Sequence, residues 1–490
     1  MGETFVPWTL FLLYMLAIIG LTWWNRRKAA TMSAFAVGTR SLPPFLVGLS
    51  LAANMTSVAT FVINPGLVHA FGWAGVVGYG IAAPLGIFAG LIVTSKRFRR
   101  VGDRVTALTV PQWVGERYGD RRLTLFFAVV SLLQITFLVL IVTGIALVLM
   151  SVLSLPMWAA LAIVVGFTFA YILFGGASVH IWSNTMQAVI MVVVAVLLLA
   201  SGAEFFAGGI GAFFDRLAAV GPHYASVTNP ASLLFRDLFE VLVANFIIGL
   251  AIIMQPHLMS KALYLRSERD VNRYLATAMV VGTVFTSVLL VGLFARLSLG
   301  GGLAPDRVVA TYIATDFSPP LRAVIMLGVL AAGFSTLEGV ILALSTIFAN
   351  DLYGSLARLA GVVADRIGGR LLVVGRAFLI ALAPVTFLLA RDQILNPSLS
   401  VAIFAQNGVY GLFAATFAPV MFGMFSSRAT KGLALAAALT ALAVHFGMYY
   451  GKLTMYHNNP AVPAACAIVA STLLMVVGVA FTGRRSAAGT

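Results

Sequence analysis

Apolar runs long enough to cross a bilayer recur thirteen times along the chain, at 7–24, 43–69, 72–94, 123–150, 156–174, 182–202, 237–259, 274–295, 321–350, 371–390, 398–425, 432–450 and 461–482. A hydrocarbon layer about 30 Å thick takes roughly 20 helical residues to span. Backbone amides find no water in that layer, so each run must close its own hydrogen bonds as a helix. The chain therefore reads as an all-α polytopic membrane protein with about 13 transmembrane helices. Composition agrees, since only 10% of the 490 residues are charged, against about a quarter in soluble domains. Residues 1–490 read as a single integral membrane domain, with no soluble domain and no low-complexity linker. The first run has no basic lead-in and is followed by Arg26, Arg27 and Lys28, the pattern of a retained span rather than a cleaved signal. The lone cysteine, Cys466, excludes an internal disulfide and any multi-cysteine metal site.

The net charge of +15 raises nucleic acid as a partner, but its placement argues for membrane orientation instead. With the N-terminus outside, the inner segments hold Arg26, Arg27, Lys28, the four basic residues of 96–100, Arg104, Arg117, Arg121, Arg122, Lys261, Arg266, Arg269, Arg273, Arg428, Lys431, Arg484 and Arg485. Arg40, Arg358, Arg366, Arg370 and Arg376 bring that to 24 of 31, which points to N-out, C-in. The outer loop 203–236 contains GIGAFFDRLAAVG, which reads as a short amphipathic helix at the interface. Segment 351–370 reads as lying on the inner surface. Spans two to six (about 43–202) and seven to eleven (about 237–425) are two sets of five. Five is odd, so the second set must be inverted relative to the first. One extra N-terminal and two extra C-terminal helices flank them. Inverted repeats whose first helices are broken place a transport site near the midplane.

Polar residues inside the apolar runs are costly and therefore informative. Leu330–Tyr353 carries Ala332, Ser335 and Thr336 at i, i+3 and i+4, on one helical face. Such a face either packs closely against another helix or holds a cation. Span two crowds Asn54, Thr56, Ser57 and Thr60 at its middle, ahead of Asn64, Pro65 and Gly66. That pattern reads either as a proline kink or as a break that frees carbonyl oxygens for an ion. Span seven has Gly249 as a candidate hinge and Gln255, Pro256 and His257 near its end; span six has Asn184 and Gln187; span eleven has Gln406, Asn407 and Tyr410. Glu338 reads as the only acid deep within a span, and no Lys or Arg reads as mid-span.

Four stretches together resemble one family. AAGFSTLEGVILALSTIFANDLY resembles the sodium-binding helix of the sodium:solute symporter family, and SVATFVINPG resembles its first core helix. GGASVHIWSNTMQAVIM is similar to its Gly-Gly…Trp-Thr-Asp…Gln signature, and MQPHLMSKAL to the Gln-Pro-His segment of the branch with the proline symporters. The resemblance covers nearly the whole chain, in order, and none of the motifs specifies a substrate. It implies a LeuT-type 5+5 inverted repeat and sodium-driven uptake by alternating access. By position it implies a sodium site on the carbonyls of Ala53, Thr56 and Ala332 and the hydroxyls of Ser335 and Thr336. Where the family has Trp-Thr-Asp this chain has Trp182-Ser183-Asn184, which puts a second sodium ion and strict sodium-over-proton coupling in question. Asn184, Glu338, Gln255 and His257 are the coupling or gating candidates; a scaffold role for Glu338 is the alternative.

The solute is expected between spans two, four, seven and eleven, near Asn64, Gln134, Asn245, Gln406 and Asn407, chosen for polarity and depth. Ile248 stands where proline symporters use a tryptophan, which argues against proline. The expectation is a sodium-coupled symporter importing a small organic solute, foremost a short-chain monocarboxylate or related metabolite. Amino acid, pantothenate or sugar symport, with the proton as alternative coupling ion, and a transporter-like membrane sensor are the alternatives. An enzyme ranks last, for want of paired acids, a zinc motif or a nucleophile–base pair. The expected partners are the solute, sodium and the lipid bilayer, with no nucleic acid. A monomer suffices for transport, and the expected location is the plasma membrane, a bacterial inner membrane.

Overall fold

A computed structural model of the chain describes residues 2–25, 32, 43–105, 107–265, 267, 269–396 and 400–487. Arg26, Arg27, Lys28, Arg40 and Arg266, which enter the charge split above, lie outside the described residues. Eleven continuous helices are long and apolar enough to cross a membrane, and two bent pairs bring the number to thirteen. We number them α1 (Phe5–Trp24), α2 (Pro44–Met55, α2a, and Ala59–Phe71, α2b), α3 (Trp73–Val101), α4 (Arg121–Val152), α5 (Met157–Gly176), α6 (Val179–Ala200), α7 (Phe239–Ile252, α7a, and Pro256–Leu263, α7b), α8 (Asp270–Leu299), α9 (Pro319–Leu359), α10 (Asp365–Leu395), α11 (Val401–Phe425), α12 (Lys431–Tyr450) and α13 (Ala461–Thr482). No strand occurs among the described residues.

The two bends set the architecture. α2 turns by 52° between Met55 and Ala59, where Thr56 is extended (φ −112°, ψ 94°). The break falls where polar side chains compete for the backbone, two turns ahead of Pro65. Proline's missing N–H is absorbed instead by a π-helical turn at Ala59–Ile63, after which Pro65 sits in the first turn of Asn64–Phe71. α7 turns by 59° at 253–255, with Pro256 opening the second half. Gly249 is not the hinge. It lies inside the helix Asn245–Ile252, and a Cβ there would meet the Ala83 carbonyl at 2.1 Å, so its role is close approach of α7a to α3. α5 and α6 meet at Gly176, whose φ of +55° and ψ of −154° suit only glycine.

α9 is the buried axis of the bundle: 89% of its apolar window is buried, against 28% for α10 and α12, which face outward. It packs on α5, α6, α1, α4 and α2a. Its small residues Ala331, Ala332, Gly333, Ser335 and Gly339 allow that crowding. α9 also runs on to Leu359 rather than ending in a surface segment at 351. Asp351 is buried and accepts a 2.5 Å hydrogen bond from Thr109 Oγ1, at the start of the short helix Val110–Tyr118. The amphipathic segment after α6 is a helix as expected, Gly209–Val220, burying Phe213 and Leu217.

Candidate functional site

Helix α2a ends at Met55, so carbonyls of its last turn have no complete set of helical N–H partners. Ala53 O accepts the Thr56 N–H at 3.3 Å, which folds Thr56 back over the end of the helix. Across the gap, α9 presents two hydroxyls to the same oxygens. Ser335 Oγ lies 3.1 Å from Ala53 O and 3.0 Å from Ala332 O. Thr336 Oγ1 lies 3.3 Å from Asn54 O, 3.5 Å from Ala53 O and 3.4 Å from Ala332 O. Ala53, Thr56, Ala332, Ser335 and Thr336 are all buried. The structure brings Ser335 and Thr336 onto the carbonyls of Ala53 and Ala332, with Asn54 O beside them, while Thr56 meets this group through its N–H to Ala53 O. Their oxygens are neutral and hard, and a hydroxyl that turns its proton aside offers lone pairs to an ion. Carbonyl and hydroxyl oxygens without a thiolate, imidazole or carboxylate suit a hard cation rather than a soft transition metal.

A cavity of about 130 Å³ opens beside the break, lined by Thr56, Thr60, Asn64, Tyr79, Asn245, Ile248, Thr286, Gln406 and Tyr410 among others. A second space of about 120 Å³ adjoins it through Met55, Thr60, Asn64, Gln406 and Tyr410, and reaches Asn54, Ser57 and Gln255. Among the described residues no ionisable Asp, Glu, Lys, Arg or His side chain lines either. Asn64, Asn245, Ile248 and Gln406 line this space, with the Asn245 amide donating back to the Glu240 carbonyl at 2.8 Å. Gln134 and Asn407 do not. Gln134 is turned to His257, with Nε2 2.6 Å from Nδ1, and Asn407 reaches across to α12, where its amide donates to Tyr450 Oη at 3.0 Å.

On the other side of α2a lies a buried polar cluster that sequence reasoning largely missed. Glu338 Oε1 accepts from Tyr171 Oη and from Gln187 Nε2 at 2.9 Å; Oε2 accepts from Ser183 Oγ at 2.5 Å and faces His180 Nδ1 at 3.1 Å. Four donors on two oxygens match an ionised carboxylate, which only accepts. His180 Nε2 in turn lies 3.0 Å from Lys261 Nζ, which donates to Ser50 Oγ at 2.7 Å. Donors at Nε2 and an acceptor at Nδ1 assign the neutral imidazole with its proton on Nδ1. Asn184 donates to Asn54 Oδ1 at 2.6 Å and to Ser50 Oγ at 3.1 Å. Asn54 links the two regions, its carbonyl facing Thr336 and its side chain facing Asn184.

Two readings need correction. Lys261 is not a loop cation; it is 1% exposed and lies within α7b, because the bend of α7 carries that segment inward. Glu338 is not the only acid inside a span, since Asp351 of α9 and Glu240 of α7a are fully buried too, Glu240 paired with Arg236 at 2.7 Å. His257 and His180 line a small cavity of about 20 Å³ with Thr109, Ser260, Gly339 and Thr346. The spacing of Lys261, four residues after His257 and short of the basic run that follows, was the available signal.

The profile of the sodium:solute symporter family matches residues 35–441. The chain is 27% identical over 435 residues to the high-affinity proline transporter PutP of Bacillus subtilis, covering 85% of this chain and 86% of that one. It is 24% identical over 483 residues to the sodium/pantothenate symporter of Escherichia coli, covering 95% and 94%. In three dimensions it is similar to a Na+-coupled sialic acid symporter solved in a substrate-bound outward-open state, with a TM-score of 0.80 at 17% identity over 97% of this chain and 98% of that one. That likeness shows the fold.

Proposed function

The chain belongs to the sodium:solute symporter family, and from that premise we propose where it holds its ion and what class of solute travels with it. It is a multi-pass transporter of the plasma membrane that couples solute movement to sodium. Sodium binds in the gap between the α2 break and α9, on the carbonyls of Ala53, Thr56 and Ala332 and the hydroxyls of Ser335 and Thr336. One observation carries this: two hydroxyls of α9 meet the Ala53 and Asn54 carbonyls at the α2 break at 3.1–3.5 Å in a buried place, with Ala332 O of α9 beside them. Residues 43–202 and 237–425 act as the two inverted halves of one transport domain. Support comes from the bend in the first helix of each, 52° in α2 and 59° in α7. The N-terminus faces outside, and the membrane is a bacterial inner membrane.

The solute occupies the cavity beside Thr56, between Asn64, Asn245, Ile248 and Gln406. Proline, pantothenate and sialic acid, named for the relatives, each carry one carboxylate. The cavity offers amides and hydroxyls and no basic side chain, so the positive charge nearest a carboxylate is the sodium ion itself, next to Thr56. A volume near 130 Å³ suits a solute of few heavy atoms. A short-chain monocarboxylate fits these terms best. The test is uptake into proteoliposomes of labelled short-chain monocarboxylates, proline, pantothenate and a hexose, with and without an inward sodium gradient. Sodium-dependent accumulation of a monocarboxylate supports the assignment; accumulation of the hexose alone overturns it.

A further inference from the structure

Beside the sodium site lies a second place built to hold positive charge. Glu338, Ser183, Ser50, Asn54 and Asn184 bring a carboxylate and several neutral oxygens together, all buried. A carboxylate removed from water needs a compensating charge as well as hydrogen bonds. Lys261 Nζ stands in this group, 2.7 Å from Ser50 Oγ and one imidazole away from Glu338 through His180. It is delivered by the 59° bend that turns α7b inward. We infer that Lys261 is a tethered cation filling a second cation position in the Glu338 cradle, and that the chain consequently binds one sodium ion rather than two. This rests on the sodium site proposed above.

The charges around it support the assignment. On α6, His180 presents Nε2 to the ammonium as an acceptor, and Asn184, an amide, adds no negative charge. On α9 the facing ionisable group is Glu338, one −1 charge against the +1 of Lys261. His257, on Lys261's own segment, bonds to Gln134. Elsewhere α7b shares a small cavity, through Leu258, Met259 and Ala262, with Leu91, Thr94, Ser95 and Phe98 of α3 and Tyr274 of α8. Among the described residues the cradle is thus formally neutral with the lysine in place. A mobile cation added there would sit against the ammonium, and like charges in a low-dielectric interior repel strongly. Asn184 Oδ1 is buried and takes no hydrogen bond among the described residues, so an ion admitted without the lysine has an oxygen ready for it.

The experiment counts ions. Purified protein in detergent is titrated with 22Na+ alone, and bound ions per chain are read at saturation by scintillation proximity. The parent is expected to bind one, and Ser335→Ala/Thr336→Ala to lose most binding over the same concentration range. Lys261→Met, which leaves Glu338 uncompensated, is expected to bind two. Lys261→Met/Glu338→Gln, which removes both charges, is expected to return to one. A parent count of zero overturns the sodium site on which the inference rests. A parent count of two overturns the Lys261 assignment alone, as does a count of one in monodisperse Lys261→Met. Should Lys261→Met aggregate, Lys261→Gln is counted in its place: two ions per chain support the assignment and one overturns it.

Discussion

Ser335 Oγ stands 3.1 Å from the Ala53 carbonyl, on the far side of a helix break from its own helix. Two elements that separate in sequence by 282 residues therefore share one oxygen cluster. Any cation bound there ties α2a to α9, and its release frees one from the other. Under the proposed assignment that would link ion occupancy to a change of conformation, since a ligand shifts an equilibrium only through contacts it makes differently in the two states.

Orientation is testable without knowing the solute. In a background lacking Cys466, His223→Cys should react with a membrane-impermeant thiol reagent added outside intact cells, and Lys96→Cys should react only after permeabilisation. The basic-residue split motivates both expectations. Reaction of both from the same side contradicts N-out, C-in.

Glu338 should matter more than any one of its donors. Glu338→Gln turns one acceptor oxygen into an N–H donor that faces existing donors, and strands the Lys261 charge. A hydrogen bond to a charged group contributes about 1.5–3 kcal/mol, and Glu338→Gln weakens several at once. Tyr171→Phe removes one hydrogen bond to a charged group, about 1.5–3 kcal/mol. Melting temperatures in detergent should accordingly fall further for Glu338→Gln than for Tyr171→Phe, and the sodium dependence of uptake should shift for Glu338→Gln. Equal melting temperatures for parent and Glu338→Gln, with unchanged sodium and pH dependence, would place the carboxylate outside the working site.

Gly249 tests the packing of α7a against α3. A methyl group there would lie 2.1 Å from the Ala83 carbonyl, and backbone has little room to retreat. Gly249→Ala should lose about 1–3 kcal/mol of stability through overpacking, seen as a lower melting temperature. Had this glycine been a hinge, the main effect would fall on transport rate with stability preserved.

Thirteen spans were legible because hydropathy reports directly on the cost of burial in a bilayer; the polar middle of span two marked an irregularity there without deciding between a kink and a break. The residues proposed to hold sodium come from the family resemblance, which fixes positions in a motif. The solute residues were legible only in part. Polarity and depth say that Gln134 and Asn407 are buried but not which way they turn; His257 and Tyr450 claim them instead. Lys261 was hidden for a different reason. A lysine at the end of an apolar run reads as a loop residue unless the helix axis is known to bend, and the bend at 253–255 came after the expected hinge at Gly249. Asp351 escaped likewise, since nothing in its own neighbourhood marks Thr109, 242 residues earlier, as its partner.

The most direct test is the 22Na+ concentration giving half-saturation of the purified protein, compared among parent, Ser335→Ala, Thr336→Ala and the double variant. Each hydroxyl that coordinates the ion is worth about 1.5–3 kcal/mol as a contact to charge, so each single variant should raise the half-saturating concentration about tenfold or more, and the double variant further still. Melting temperatures should change little, because hydrogen bonds between membrane helices average only about 0.6 kcal/mol. An unchanged half-saturating concentration in a well-folded double variant would contradict the sodium site and leave Ser335 and Thr336 as packing residues of α9.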